Sequence, residues 1–353
     1  MKSVLITGSN GQLGQHLIKY FQENYPELIL IGTVRHKSYD EQPCIFDKSK
    51  VNIELLDLTD QVSVEYVVKK WGPSFIINSS ANAFVGESWR VPNQHIQVNT
   101  VGVLNILEAI RKFSPESRFV NLGTSEEFAC VIEDGDQKQD ENTRISPRSP
   151  YGCSKAAARF LVDIYRESYN LKAIQPWTFN FESEIRGPKY LTRKVSIGVA
   201  RIKRSLEKGE IPEPIRLGNL DSYRSWQYCG DVADALWKII NQKGEAKDWK
   251  PYVISEDGTH SVREFVEKAF SVLGIKGVWA GEGLNERFVT FNYPEKGQNL
   301  FLVEIDKEFY RPMDVTFLSG DSSLLRKELG WEPKVSFDKL IERMVMSDYK
   351  SLQ

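Results

Sequence analysis

The first 180 residues alternate between short apolar runs and stretches with helical periodicity. Each apolar run has about the length of a buried parallel strand and is rich in Val, Ile and Leu. Between these runs, apolar residues recur three to four positions apart, as on the buried face of a helix. The predicted strands are residues 3–7, 28–34, 51–58, 75–80, 118–124 and 172–179, and the predicted helices are residues 15–25, 60–71, 94–113 and 150–169. This order predicts an α/β fold with a Rossmann-type, doubly wound parallel sheet.

The alternation ends near residue 180, and we predict a second, smaller mixed α/β domain beyond it. We expect residues 1–179 to bind a dinucleotide and residues 180–353 to bind the substrate, with a segment at about 225–255 returning to the first domain. Residues 180–194 have the pattern of an irregular loop. The rest predicts helices at 195–208, 229–241, 262–273, 321–329 and 337–347, and strands at 215–221 and 251–255.

A glycine-rich turn follows the first predicted strand and has the form of a phosphate-binding site. Gly8, Gly11 and Gly14 are spaced Gly-x-x-Gly-x-x-Gly, directly before a helical stretch. Backbone N–H groups at a helix N-terminus attract anions, and glycine lets the backbone approach them closely. We therefore predict a bound dinucleotide, with a purely structural turn as the alternative. The predicted contacts are Gly8, Asn10, Gly11, Gln12, Leu13 and Gly14.

The ends of the second and third strands bear on the choice of cofactor. An NAD site usually has an acidic residue after the second strand, which binds the ribose hydroxyls. Residues 33–38 contain no acid, and Arg35 can instead accept the 2′-phosphate of NADP. We predict NADP rather than NAD, with a solvated loop arginine as the alternative. Asp57 and Leu58 end the third strand, where Asp57 either binds the adenine amino group or caps the next helix.

Tyr151 and Lys155 lie four residues apart in a predicted helix and therefore share one of its faces. A lysine ammonium near a phenol lowers the phenol pKa from about 10, and a phenolate at neutral pH is a general base for a hydroxyl proton. The same spacing occurs in ordinary amphipathic helices, so the pair alone decides nothing. Thr124, Ser125 and Glu126 strengthen the case, because they follow the fifth strand at the sheet edge where ligands bind.

Composition narrows the classes of function. The 353-residue chain has a formal net charge of −2, so it offers no basic field for nucleic acid or anionic lipid. Its four cysteines form no Cys-x-x-Cys pair and its four histidines have no metal-ligand spacing, so we expect reduced cytoplasmic thiols and no metal site. No apolar run reaches the roughly 20 residues of a membrane span, and we expect no targeting segment before the first strand.

Motifs along nearly the whole chain resemble those of one family. They lie at residues 7–14, 146–155, 179–183, 192–194, 217–226, 261–270 and 310–312. Together they resemble the extended short-chain dehydrogenase/reductase family and, within it, the GDP-mannose 4,6-dehydratases. The glycine and Tyr/Lys motifs are shared by the whole superfamily, whereas Thr-Arg-Lys at 192–194 and Tyr-Arg-Pro at 310–312 are more specific. The resemblance implies an NADP-dependent hydro-lyase that converts a GDP-linked manno-configured sugar to its 4-keto-6-deoxy product with internal recycling of the hydride.

The resemblance also implies a role for each site residue. Tyr151 would take the proton of the sugar 4-hydroxyl, Lys155 would hold the nicotinamide ribose, and Thr124 would orient the 4-oxygen. Glu126 would remove the C5 proton and protonate the departing 6-hydroxyl, whereas the next residue, Glu127, should face elsewhere and tolerate substitution. The implied substrate-binding residues are Ser125, Asn180, Lys194, Arg216, Arg224, Arg311 and Asp314; for the charged ones, a solvated surface position is the alternative.

Departures from the family pattern leave the exact sugar open. The usual Glu-Leu-Tyr-Gly is Glu-Glu-Phe-Ala at residues 126–129, a usual histidine is Phe181, and Trp-Gly-His is Trp-Gln-Tyr at residues 226–228. GDP-mannose and GDP-manno-heptose therefore both remain as substrates. An epimerase or reductase of the same superfamily is an alternative that needs no carboxylate at position 126. A non-catalytic regulator that binds a dinucleotide is a more remote one.

The resemblance further implies an oligomer. The family commonly dimerises through two helices per subunit, which correspond here to residues 94–113 and 150–169. The loop after Arg35 lacks the arginine- and serine-rich run that resembles a tetramer contact in the family. We therefore predict a homodimer, with a tetramer left open.

Overall fold

The computed structural model describes residues 2–35, 44–128, 138–256, 258–290, 300–309 and 317–352. In these residues the strands are β1 Ser3–Thr7, β2 Ile29–Val34, β3 Asn52–Leu55, β4 Phe75–Asn78, β5 Arg118–Asn121, β6 Ala173–Ile174, β7 Trp177–Thr178, β8 Phe181–Glu182, β9 Ile215–Leu217, β10 Tyr223–Arg224, β11 Gln227–Tyr228, β12 Val253–Ile254, β13 His260–Ser261, β14 Val278–Ala280, β15 Arg287–Thr290, β16 Leu300–Ile305 and β17 Phe317–Leu318. The helices are α1 Gln12–Asn24, α2 Gln61–Trp71, α3 Val85–Ser88, α4 Pro92–Ile96, α5 Gly102–Phe113, α6 Pro150–Tyr169, α7 Leu191–Glu207, α8 Cys229–Ile240, α9 Val262–Val272, α10 Ser323–Leu329 and α11 Phe337–Ser351. A π-helical turn, Gln97–Val101, joins α4 to α5, and a 3₁₀ turn covers Ser125–Glu127.

The chain divides into two compact units that interleave along the sequence. The first unit comprises Met1–Phe179, Cys229–Asp257 and Gly320–Pro333, and the second comprises Asn180–Tyr228, Gly258–Ser319 and Lys334–Gln353. The position of residues 320–333 corrects our expectation that they belong to the second domain. They join the first unit because Trp331 is buried there and donates its indole N–H to the Asp231 carbonyl at 3.0 Å.

The first unit is built on a six-stranded sheet in the order β3-β2-β1-β4-β5-β6, in which every neighbouring pair is parallel. This 3-2-1-4-5-6 order is that of the Rossmann fold and confirms the predicted doubly wound sheet. Strand residues such as Leu5, Ile76 and Phe119 are buried in one apolar core with residues of α2, α5 and α6. Helix α1 packs against α8 through Phe21 and Trp237, whose ring centres are 5.1 Å apart.

Several element boundaries in this unit differ from those predicted. The sixth strand, predicted at residues 172–179, is only Ala173–Ile174. Pro176 has no N–H to donate to the ladder, and Trp177–Thr178 beyond it pairs with β12 instead. Helix α1 begins at Gln12 rather than at residue 15, so the glycine turn leads directly into it.

The second unit contains a four-stranded sheet in the order β14-β15-β16-β9, together with smaller ladders that join β8 to β11 and β10 to β13 and β17. Helices α7, α9 and α11 contribute to a core that includes Val199, Phe265, Leu302 and Met344. We predicted no strands for β14–β16, and α7 begins at Leu191 rather than at residue 195. Among the helices that the structure describes, none is long and apolar enough to cross a bilayer.

Candidate active site

The six predicted contacts to a dinucleotide lie in the turn between β1 and α1 and in the first turn of α1. Gly8 has a φ of +66°, in the left-handed region that favours glycine. A Cβ atom at Gly14 would lie 2.2 Å from the Gly8 carbonyl oxygen, so only glycine lets the helix approach the turn this closely. Gly11 is the N-cap of α1. The turn and the first backbone N–H groups of this 13-residue helix form the kind of cradle that fits a diphosphate.

The end of β2 lies beside this turn. The backbone N–H of Ser9 donates to the Thr33 carbonyl at 3.0 Å, and the Ser9 hydroxyl donates to the same oxygen. Arg35 follows β2 directly and its side chain is exposed. These hydrogen bonds hold the end of β2 beside the glycine turn, and a contact of Arg35 with a 2′-phosphate stays a prediction.

We offered two interpretations of Asp57, which follows β3: contact with the adenine amino group, or capping of the next helix. The structure tests the second one. Asp57 Oδ1 accepts hydrogen bonds from the Thr59 backbone N–H at 2.9 Å and from its hydroxyl at 2.8 Å, which closes a local turn. The N-cap of α2 is Asp60, which accepts from the Val62 N–H at 3.0 Å, so the suggestion that Asp57 caps this helix is wrong. Contact with the adenine stays a prediction. Leu58 is buried beneath this turn.

Three of the predicted catalytic and substrate residues lie in one turn after β5. The strand ends at Asn121 rather than at residue 124, and Ser125–Glu127 form the 3₁₀ turn. Thr124 is its N-cap, and the Thr124 hydroxyl oxygen accepts from the Glu126 N–H at 3.3 Å. A Cβ atom at Gly152 would lie 2.4 Å from the Glu126 carbonyl oxygen. The turn that carries Thr124 and Glu126 thus packs directly against the first turn of α6.

Helix α6 has the predicted bounds, Pro150–Tyr169, and it places Tyr151 and Lys155 on its buried side. Lys155 Nζ donates to the Leu122 carbonyl at 2.7 Å. Burial lowers the pKa of Lys155 to about 8, and the nearby carboxylate of Glu127 opposes that shift. Lys155 is therefore largely an ammonium at neutral pH, in the protonation state that the predicted activation of Tyr151 requires.

The sequence analysis missed Asn99, which lies in the π-helical turn Gln97–Val101. Its side-chain NH₂ donates to the Asn82 carbonyl and to the Ser154 hydroxyl oxygen, each at 3.0 Å, and its Oδ1 accepts from the Asn82 N–H at 2.9 Å. Ser154 in turn donates to the Tyr151 carbonyl at 2.7 Å. Asn99 thus joins the loop after β4 to the helix of Tyr151. The signal available in the sequence was a polar residue on the apolar face of a predicted amphipathic helix. In the structure this residue lies in a π-helical turn, a feature that is frequent at functional sites.

Glu127 points into the interior of the protein, and its tolerance of substitution stays a prediction. It is fully buried, whereas Glu126 is only partly buried. Its Oε2 accepts from Arg159 Nε at 2.6 Å. The expectation treated residues 125–127 as the continuation of a strand, but they form a 3₁₀ turn that directs Glu127 into the interior.

Two of the predicted substrate-binding residues meet in the second unit. Lys194, on α7, and Arg216, on β9, line a cleft of about 910 Å³. Lys194 Nζ lies 3.3 Å from the centre of the Phe309 ring, and burial lowers the pKa of this lysine. Arg216 forms an ion pair with Glu304 at 3.0 Å, but its side chain is 63% exposed. The cleft is lined by an aromatic face at Phe309 and by five basic residues, which suits a nucleotide diphosphate. The basic residues are Lys194, Arg201, Arg204, Lys208 and Arg216.

The other predicted substrate contacts are more scattered. Asn180 is partly buried, and its carbonyl accepts from the Gln227 N–H at 3.0 Å. Arg224 is buried and donates to the carbonyl of its neighbour Tyr223 at 2.8 Å. Arg311 and Asp314 lie outside the described residues. Within the residues described, no group of three or more His, Cys, Asp or Glu side chains could hold a metal ion.

Comparison with known proteins identifies the family. A family model described as GDP-mannose 4,6 dehydratase matches residues 5–344. The chain belongs to this family. It is 34% identical over 361 residues to the GDP-mannose 4,6 dehydratase of Drosophila melanogaster, covering 100% of this chain and 87% of the relative. It is 35% identical over 363 residues to that of Cricetulus griseus, covering 100% and 92%.

Solved structures of other proteins show the same fold. The UDP-glucose 4-epimerase of Thermus thermophilus, in complex with NAD, matches with a TM-score of 0.77 at 23% identity, over 98% of each chain. RMD from Pseudomonas aeruginosa, complexed with NADPH, matches with a TM-score of 0.75 at 18% identity, over 99% of this chain and 100% of that one. At these identities the likeness concerns the fold alone.

Two of the three departures of this GDP-mannose 4,6-dehydratase family member, at Phe181 and at residues 226–228, meet in its second unit. Phe181 and Gln227 face each other in the β8–β11 ladder, and Glu182 and Tyr228 form the next pair. The Tyr228 hydroxyl oxygen accepts from Arg343 Nη2 at 2.8 Å. Residues 181, 227 and 228 are thus neighbours in one ladder.

Proposed function

We propose that the protein is a GDP-mannose 4,6-dehydratase, that is, a hydro-lyase acting on a GDP-linked manno-configured sugar. One observation supports this most strongly: the turn with Thr124 and Glu126 packs against α6 at Gly152, next to Tyr151 and Lys155. An oxidation alone needs a base for the hydroxyl. An elimination also needs a second acid/base, and Glu126 supplies a partly buried carboxylate in the same place.

Each residue has a defined task in this proposal. The Tyr151 phenolate takes the 4-hydroxyl proton, the Lys155 ammonium favours the phenolate, and the Thr124 hydroxyl orients the 4-oxygen. Glu126 removes the proton at C5, which the 4-ketone makes acidic, and gives a proton to the departing 6-hydroxyl. A bound nicotinamide would supply the oxidation at C4 and the later reduction at C6, and the proton that Tyr151 took from the 4-hydroxyl goes to C5 in that reduction. The net change in the sugar is the loss of one water molecule.

The proposed cofactor is NADP, held by the glycine turn, with Arg35 at its 2′-phosphate. A nicotinamide dinucleotide is supported by the Rossmann sheet and by the bound NAD and NADPH of the structural neighbours. The preference for NADP rests on exposed Arg35 at the end of β2 and on the absence of an acid from residues 33–38 of the sequence.

The proposed assembly is a homodimer formed by the helices of residues 94–113 and 150–169, with a tetramer left open. On α6, Phe160 is 54% exposed and Ile164 is 52% exposed, one turn apart on the same face. A second copy of the chain would cover this apolar stripe by a two-fold contact. The proposed location is the cytoplasm, which agrees with free thiols at Cys44, Cys153 and Cys229 among the described residues.

A panel of nucleotide sugars tests the function. We expect the holoenzyme to remove one water molecule from GDP-mannose, GDP-manno-heptose or both, which mass spectrometry of the product detects. UDP- and dTDP-sugars serve as controls for the nucleotide. A product with the mass of its substrate would identify an epimerase instead, and no product from any GDP-sugar would reject the proposal.

A further inference from the structure

Glu127 stands where the family usually has leucine, and its carboxylate is fully buried. A buried carboxylate is costly unless each oxygen has partners. Here Oε2 accepts from Arg159 Nε at 2.6 Å. Oε1 accepts from the Thr124 backbone N–H and from Gln175 Nε2, each at 2.9 Å. The charge is therefore paired and its hydrogen bonds are made.

Arg159 is held as firmly as its partner. It is 2% exposed, and its Nη1 donates to the Gln175 carbonyl at 2.6 Å. Its guanidinium lies 3.7 Å from the centre of the Trp177 ring. A planar guanidinium that is stacked on one side and hydrogen-bonded at its edge has one available orientation. Glu127 thus binds a fixed cation.

The Glu127–Arg159 pair is hydrogen-bonded to the segments that carry the proposed catalytic residues. The Thr124 backbone N–H donates to Glu127, and Thr124 is the N-cap of the turn that carries Glu126. Arg159 lies one helical turn beyond Lys155, and Gln175 Nε2 donates both to Glu127 and to the Lys155 carbonyl. One carboxylate therefore joins the catalytic turn to the catalytic helix. Neither Glu127 nor Arg159 is exposed enough to touch a substrate.

We propose that Glu127, paired with Arg159, is a positioning residue that sets the turnover rate by fixing the Thr124–Glu126 turn against α6. The essential contact is the hydrogen bond that the Thr124 backbone N–H donates to Glu127 Oε1. Arg159 neutralises the negative charge of the buried Glu127 carboxylate. The inference rests on the proposed function, because Thr124 and Glu126 act on the sugar there. A displacement of about 1 Å at reacting groups can lower a rate about 100-fold.

Two variants separate positioning from a merely structural ion pair. Glu127→Gln keeps the shape. With its amide oxygen in the place of Oε1, where Thr124 N–H and Gln175 Nε2 donate, it keeps that acceptor, but its NH₂ then faces the Arg159 Nε–H and the Arg159 charge is unpaired. The double variant Glu127→Leu with Arg159→Met removes both charges, and it restores the leucine usual in the family but removes the acceptor. An unpaired buried charge is more destabilising than an apolar pair, so Glu127→Gln should be the less stable variant. The double variant should be the slower enzyme, because it lacks the acceptor for the Thr124 N–H.

The measurements are Tm, kcat and KM of the holoenzymes with the GDP-sugar that the wild type dehydrates. We expect Glu127→Gln to lose several degrees of Tm but to keep kcat within about threefold. We expect the double variant to keep Tm within about 3 °C of the wild type and to lose at least about 30-fold in kcat, with KM changed less than about threefold. If the double variant does not fold, Glu127→Met with Arg159→Leu takes its place.

The proposal is overturned if kcat follows Tm across the variants, or if Glu127→Gln loses turnover as strongly as the double variant does. A failure of the proposed function looks different, because the wild type itself would then remove no water. If the wild type proves to be an epimerase, the same ordering is measured on epimerisation, since Tyr151 and Thr124 would serve that reaction too.

Discussion

Lys155→Met should change the pH dependence of stability in a calculable way. In the folded protein the ammonium is fully buried, and burial lowers its pKa from the usual 10.5 to about 8, with the Glu127 carboxylate acting in the opposite direction. Methionine has nearly the same length and no charge. The substitution therefore removes the titration and keeps most of the packing.

The sign follows from the number of bound protons. Between about pH 8 and pH 10.5 the unfolded chain holds a proton on Lys155 that the folded protein has lost, so wild-type stability rises with pH in this window. A pKa fall of this size corresponds to about 3 kcal/mol in total. About 2 kcal/mol of it should be recovered between pH 7 and pH 9.5. The methionine variant should lack this rise, so the wild type should gain about 2 kcal/mol relative to it.

Equilibrium unfolding in urea at pH 7, 8, 9 and 9.5 measures this difference. The protein is first freed of nucleotide, because a bound anionic cofactor would change the electrostatics at Lys155. Groups remote from Lys155 titrate equally in both proteins and cancel in the comparison. Both proteins carry Tyr151→Phe, because Lys155 acts on the Tyr151 phenol and that titration would not cancel. Lys19→Met, which removes an exposed lysine from α1, is the control and should give a curve parallel to that of the wild type. Parallel curves for wild type and Lys155→Met would refute the reasoning.

Three other predictions concern the proposed function. Glu126→Gln should lower release of the dehydrated product by about 10²–10⁴-fold yet still bind substrate and show reduced nicotinamide by absorbance, whereas Tyr151→Phe should show none. NADP should bind at least several-fold tighter than NAD in a fluorescence titration, and Arg35→Ala should narrow that gap. The double variant Phe160→Lys with Ile164→Lys should be a monomer by light scattering at micromolar concentration, where the wild type is a dimer, because the charges would replace the apolar stripe.

Each of these three predictions has a contradicting result, and the cofactor prediction also has a control variant. Near-normal dehydration by Glu126→Gln would remove that residue as the C5 base and favour the epimerase or reductase. Lys50→Ala, which removes an exposed lysine elsewhere in the first unit, should leave cofactor preference unchanged, and equal affinity of the wild type for NADP and NAD would remove the argument from Arg35. A wild-type monomer would contradict the proposed dimer.

The sequence predicted best those elements whose ends are set locally. Helix α6 has the predicted bounds because Ser149 accepts from the Gly152 N–H at 3.0 Å and Pro150 occupies the first helical position, both of which the sequence shows directly. Strand β6 is shorter than predicted because an apolar run also continues past Pro176, into a strand with another partner. The short strands β14 to β16 depend on pairing with each other and with β9, which local pattern does not reveal.

The same division holds at the candidate site. The glycine turn and the Tyr151–Lys155 pair are motifs of contiguous residues, and the sequence identified them. The ion pair of Glu127 and the contacts of Asn99 were missed because their partners are remote: Arg159 is 32 positions from Glu127, and Ser154 is 55 positions from Asn99. From the sequence alone, a glutamate is expected at a solvated position. Only the fold shows that Arg159 pairs with Glu127 in the interior.

The fold itself aligns the strand ends that carry the site. Thr7, Asn78 and Asn121 are the last residues of three neighbouring strands and occupy matching register positions. Their buried side chains form one chain of hydrogen bonds: Thr7 donates to Asn78, Asn78 to Asn121 at 2.7 Å, and Asn121 to Gln175 beyond β6 at 2.5 Å. A one-residue slip of any strand would leave these polar groups buried without partners, which costs about 1–3 kcal/mol for each. The polar chain therefore fixes the register of the strands that lead into the glycine turn, the loop of Asn82 and the catalytic turn, and through Gln175 it reaches the Glu127–Arg159 pair.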